Sequence, residues 1–86
     1  MRTKRWTVQI YLTEDGENTR ARAVLTTQDT SHITGNGSAR RNPIDRSIPE
    51  IGDELAAGRA LEDLAIRLHD VASDDIVELA GPARPT

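Results

Sequence analysis

Arg20 and Arg22 stand two positions apart in the run Thr19-Arg20-Ala21-Arg22-Ala23-Val24-Leu25, and a second basic cluster follows at Arg40, Arg41 and Arg46. Arginine carries a permanent charge on a planar donor fork that suits phosphate oxygens. On a strand, residues at i and i+2 share a face, so Arg20 and Arg22 project together. Alternation in the preceding apolar run puts Tyr11 on that same face. Arginines beside an aromatic ring suit phosphate contact and base stacking. These five arginines are therefore the candidate anion- or RNA-binding residues. The plainer reading of the same pattern is a solvated open face, which antiparallel sheets commonly present.

Other chemistry is poorly supplied. The chain has no cysteine, so thiol catalysis, disulfides and zinc–thiolate sites are all excluded. His32 and His69 are isolated from any carboxylate–histidine metal pattern. No nucleophile elbow, HExxH helix or phosphate-binding loop occurs, and Gly35-Asn36-Gly37 lacks the spacing and following helix that such a loop needs. The chain is accordingly expected not to be an enzyme, with no catalytic residues, no metal, no cofactor and no small-molecule substrate.

The elements that would position the arginines come first in the chain. Trp6-Thr7-Val8-Gln9-Ile10-Tyr11-Leu12 alternates strictly, which predicts a half-buried strand with Trp6, Val8, Ile10 and Leu12 facing the core. Glu14 to Asn18 is a polar, Gly-containing hairpin loop, and Thr19 to Thr27 a second strand with Ala21, Ala23 and Leu25 inward. Asn36-Gly37 is a hairpin signal, but its flanks are too short for two strands. His32 to Arg41 instead reads as one strand with Ile33, Gly35, Gly37 and Ala39 on one face. The inner surface then becomes a trough of small residues, whose physical purpose is to let a helix approach closely. Asn42-Pro43 ends this strand, since proline donates no hydrogen bond and holds its predecessor extended.

Ser47-Ile48-Pro49-Glu50 has the form of a capping box and starts a long helix. Projected at about 100° per residue, Ile48, Ile51 and Leu55 form one apolar stripe, and Leu61, Leu64, Leu68 and Val71 another that points elsewhere. Either the helix bends near Gly58 or the first stripe serves a second surface. Ile48, Ile51 and Leu55 are the candidate dimer contact. Ser73 with Asp74 and Asp75 is expected to cap a separate short helix to about Ala80, before Gly81-Pro82.

With 86 residues and no phenylalanine, the chain forms one small domain with a thin core, and small cores without disulfides lean on oligomerisation. The expected organisation is a flexible basic arm over 1–5, a single domain over 6–80 and a frayed tail over 81–86. Residues 1–46 hold eight Lys/Arg against five Asp/Glu (+3), and residues 47–86 three against nine (−6), so a basic strand half meets an acidic helical half. No run approaches the roughly 18 apolar residues of a membrane helix, and no apolar leader follows the basic start. A cytoplasmic location without membrane association is expected.

Together these elements predict an α+β fold: a three-stranded antiparallel meander, a long helix and a short C-terminal helix (β-β-β-α-α), as in double-stranded-RNA-binding-like domains. The segments WTVQIYL, TRARAVL and ARRNPIDRSIPEIGDELAAGRALEDLA resemble a family of small actinobacterial proteins, dormancy- and hypoxia-associated domains of unknown function first noted in mycobacteria. The resemblance spans about residues 6–80. It implies a homodimer of strand–strand–strand–helix protomers whose shape has been likened to ribosome hibernation factors. The function expected is that of a small non-enzymatic stress protein binding the ribosome or structured RNA as a homodimer. The alternative is a dimeric protein-interaction module with no nucleic-acid role.

Overall fold

Strict alternation over the first half of the chain produces a three-stranded antiparallel sheet in the computed structural model, which describes residues 1–29, 32–41 and 49–80. The strands are β1 (Thr7–Asp15), β2 (Asn18–Thr26) and β3 (His32–Arg40), ordered β1-β2-β3, and one helix follows, α1 (Pro49–Ala80). β1 and β2 extend further into the hairpin than their apolar residues alone indicate. Only Gly16 and Glu17 separate Asp15 from Asn18, and Gly16 takes φ 61°. Two-residue hairpin turns require such left-handed backbone, which glycine adopts without a Cβ penalty.

β3 is a single strand, as its alternation predicts. Its partners on β2 place Leu25 beside Ile33, Ala23 beside Gly35, Ala21 beside Gly37 and Thr19 beside Ala39. This is the expected trough, and α1 lies in it. A Cβ built on Gly35 would overlap the backbone of Ala60 and Leu64, and one on Gly37 the backbone of Ala56 and Ala60. The core is correspondingly fine-grained: Ala21, Ala23, Leu25, Ala39, Ala56, Ala60 and Leu64 are buried, with Ile33 and Leu68 packed against them.

Two expectations are corrected. The Trp6, Val8, Ile10 and Leu12 side of β1 is not covered: these residues remain 50%, 43%, 38% and 44% exposed. The register puts Val8, Ile10 and Leu12 beside Leu25, Ala23 and Ala21, so the predicted face is right and the burial is not. A helix about 10 Å wide seated on the glycines of β3 spans two strands spaced about 4.8 Å apart, and the third lies beyond its margin. The second correction concerns the C-terminal region. α1 runs unbroken through Ser73 to Ala80, so no separate short helix starts at Asp74. Thirty-two residues make a helix of about 48 Å. Nine-residue strands reach only about 30 Å, and the helical stretch from His69 to Glu78 is exposed along its length.

The second apolar stripe of the helix does not hold together as one buried face. Leu64 is buried and Leu68 half-buried, whereas Leu61 and Val71 stay exposed. The alanines, not the leucines, make most of the contact with the sheet, because only small residues fit a helix pressed onto glycine. Gly58 lies within the continuous helix, with open space where a Cβ would sit. The strand-ending Asn42-Pro43, the cap at Ser47 and the 81–86 tail fall outside the described residues.

Candidate interaction surfaces

Away from α1, the sheet presents an open, mostly polar face. Registers align its residues in rows: Tyr11 with Arg22 and Asn36, Thr13 with Arg20 and Ser38, Asp15 with Asn18 and Arg40. Arg20, Arg22 and Arg40 are exposed and share this face, and Asp15 is the acidic strand residue among them. The Arg22 guanidinium sits 5.0 Å from the centre of the Tyr11 ring, a cation–π arrangement. The Tyr11 hydroxyl donates to Gln9 Oε1 at 2.8 Å. The pair seen in the sequence is therefore an assembled unit on the exposed face. Arg41 follows β3, is half-buried, and donates its backbone N–H to Glu17 O at 2.8 Å, so it is set apart from the other three. Arg46 lies outside the described residues.

The two edges of the sheet differ sharply. Along β3, helix side chains close the free edge. Asp63 Oδ2 accepts the Asn36 backbone N–H at 2.8 Å and the Arg67 Nε–H at 2.9 Å. Arg59 Nη1 donates to Ser38 O at 2.8 Å. The Asn36 amide, then Arg67, hold the Asp63 carboxyl below the usual carboxylate range. Residues 59, 63 and 67 are spaced i, i+4, i+8, one side of the helix. That spacing is visible in the sequence, but it marks equally an ordinary solvated stripe, so sequence reasoning passes over it.

Along β1, among the described residues, no comparable side-chain bond reaches the edge. At the turn end of this strand Glu14 meets Asp53 of α1. Their hydrogen bond, and then the Asp53 charge, raise the Glu14 pKa above its ordinary value. Towards the other end an open cleft of about 590 Å³ lies between Trp6 and the helix residues Leu68, Val71 and Ala72, above Ile33.

Of the candidate dimer contact, Ile51 and Leu55 are 51% and 48% exposed, and Ile48 lies outside the described residues. His32 Nδ1 lies 3.3 Å from Thr26 Oγ1, and His69 is exposed on α1. Among the described residues no three His, Asp or Glu side chains gather as a metal cage, and no helix is long and apolar enough to cross a membrane.

A three-stranded meander with one long helix pressed onto its glycines defines a small α+β domain. Residues 4–84 match the Rv2632c-like family, and the chain belongs to it. It is 48% identical over 71 residues to the uncharacterized protein Mb1767 of Mycobacterium bovis, covering 83% of this chain and 74% of the relative. It is 42% identical over 69 residues to the uncharacterized protein Rv2632c of Mycobacterium tuberculosis, covering 80% and 73%. The crystal structure of Rv2632c superposes with a TM-score of 0.83 at 38% identity, over 99% of this chain and 98% of that one. The resemblance to small mycobacterial proteins of unknown function is thereby confirmed.

Proposed function

We propose that this chain is a non-enzymatic, cytoplasmic, homodimeric protein of stress or dormancy physiology that binds structured RNA, with the ribosome as its expected target. The observation that carries this reading is the gathering of Arg20, Arg22 and Arg40 on one exposed, mostly polar sheet face, with Arg22 stacked over Tyr11. Such a face offers phosphate contacts and an aromatic platform in one plane. Each phosphate contact releases counterions, so the interaction must weaken steeply with salt. Co-sedimentation with ribosomes at low and high salt is the test. Low-salt binding that is lost at high salt, with a shallower salt dependence in Arg20→Ala/Arg40→Ala, is the expected result. Absence of binding at low salt disposes of the RNA reading.

The second reading, a dimeric protein-interaction module, is favoured by the half-exposed apolar side of β1. Ribosome binding that is absent while the homodimer persists selects it.

A further inference from the structure

The cleft beside Trp6 combines apolar walls with a charged rim. Trp6 remains 50% exposed and Val71, on the facing helix, 39%, with Leu68 and Ile33 completing the apolar lining. An indole left half in water beside aliphatic side chains gains from being covered. Two carboxylates and one ammonium also line the cleft: Asp29, Asp75 and Lys4. The Thr27 hydroxyl donates to Asp29 Oδ1 and so orients that carboxylate. The lining is net acidic, although it adjoins the basic strand half. An aromatic wall, aliphatic neighbours and carboxylates suit an extended proline segment that carries arginine. Proline rings pack on aromatic faces, and a polyproline helix has no internal hydrogen bonds to give up.

Such a segment follows the helix directly. Residues 81–86 read Gly-Pro-Ala-Arg-Pro-Thr, with Pro82 and Pro85 in P-x-x-P spacing and Arg84 the one charged side chain among them. Val71 and Asp75 lie one turn apart on the same side of α1, which continues to Ala80. From Asp75 to Ala80 the helix advances about 7.5 Å, and from Ala72 about 12 Å. A glycine just past a helix end readily turns the chain back. At about 3.1 Å per residue, a polyproline path from Gly81 returns Arg84 by about 9 Å and Pro85 by about 12 Å. Arg84 then comes level with Asp75, and Pro85 level with Ala72, across the cleft from Trp6. Segment 42–48, also outside the described residues, follows Arg41 and precedes Pro49 at the opposite end of the sheet. There the Arg41 N–H meets Glu17 O, and Gly52 lies against Thr19. We infer that the Trp6 cleft is a binding site for an arginine-bearing P-x-x-P segment, and that its occupant is residues 82–85 of the same chain. Arg84 meets Asp75 and Asp29, and Pro85 packs on Trp6. The contact ties the end of α1 to the residues that lead into β1. A foreign segment of the same chemistry must displace this one to enter.

Two measurements on the full chain test this. Trp6 is the one tryptophan, so its fluorescence reports on the cleft alone. Arg84→Glu sets like charges together and should shift Trp6 emission to the red and raise its quenching by acrylamide, with far-UV circular dichroism unchanged. Asp75→Lys in the same chain should reverse both changes. Emission and quenching that stay at parent values in Arg84→Glu overturn the proposal, and loss without recovery in the double variant overturns the pairing with Asp75. Because the chain has no cysteine, Thr86→Cys carries a single nitroxide label. Paramagnetic broadening of the Trp6 indole and the Val71 amide is expected, and it persists when labelled protein is diluted into an excess of unlabelled protein. Broadening that vanishes on such dilution places the segment in the cleft of a second copy and overturns the proposal, as does the absence of broadening at Trp6. Ribosome binding plays no part in either readout, so failure of the RNA reading leaves this site standing.

Discussion

β1 and β3 are both edge strands of nine residues, yet the molecule treats them oppositely. β3 is made mostly of small and polar residues, lies under the helix, and has outer backbone groups occupied by Asp63 and Arg59. β1 holds most of the large apolar side chains of the sheet and lies outside the helix's footprint. The difference shows that helix placement follows steric access more than hydrophobicity. α1 settles where glycine lets its backbone come closest, and the strand with the greater apolar content is left over. An uncovered apolar edge is a surface in need of a partner, whereas a guarded edge stabilises the protomer alone.

The comparison can be broken most forcefully at β3. Gly37→Ala drives a Cβ into the backbone of Ala56 and Ala60. Helix and strand must separate, at a cost of about 3 kcal/mol or more. Thermal melting should register a drop of more than about 10 °C; an unchanged midpoint would mean the helix is not seated there.

Asp63→Asn probes the guard on β3 more gently. The Asp63 carboxyl is held below its ordinary range in the folded state, so its contribution is present above the ordinary aspartate pKa and is lost as pH falls through the depressed value. The variant should be less stable than the parent at neutral pH and converge with it in acid. Urea melts across that range check this, and a constant difference at all pH values would refute it.

The smallest effect belongs to β1. Glu14 is raised by Asp53, so the folded state takes up its proton before the unfolded state does. The stabilisation is present below the ordinary glutamate pKa and is lost as pH rises through the raised one. Glu14→Gln should gain slightly on the parent at neutral pH and lose that advantage in acid, by the same urea measurements. A variant that is less stable at neutral pH would show that Glu14 serves the edge in another way.

Much of the fold is legible in the chain. The alternations of Trp6–Leu12 and His32–Arg40 state which side chains share a face, and Ala21, Ala23, Gly35, Gly37 and Ala39 announce a close helix in advance. Arg20, Arg22 and Tyr11 are rightly grouped by parity alone. The continuous helix is less legible, because Ser73-Asp74-Asp75 has the composition of a cap and nothing local distinguishes a cap from an exposed helical turn. The guarded edge is missed for a similar reason, since Arg59 and Asp63 find backbone partners twenty or more residues away.

The sequence by itself determined the strands, their faces and the small-residue trough, because alternation and Cβ sterics act between neighbours. Only the tertiary structure decided which strands the helix covers and hence which edge stays open. Lateral placement of a helix depends on the closest approach of two backbones. Trp6, Val8, Ile10 and Leu12 look like core from any window of the chain, and it is the glycines of a strand some 25 residues later that draw the helix away from them.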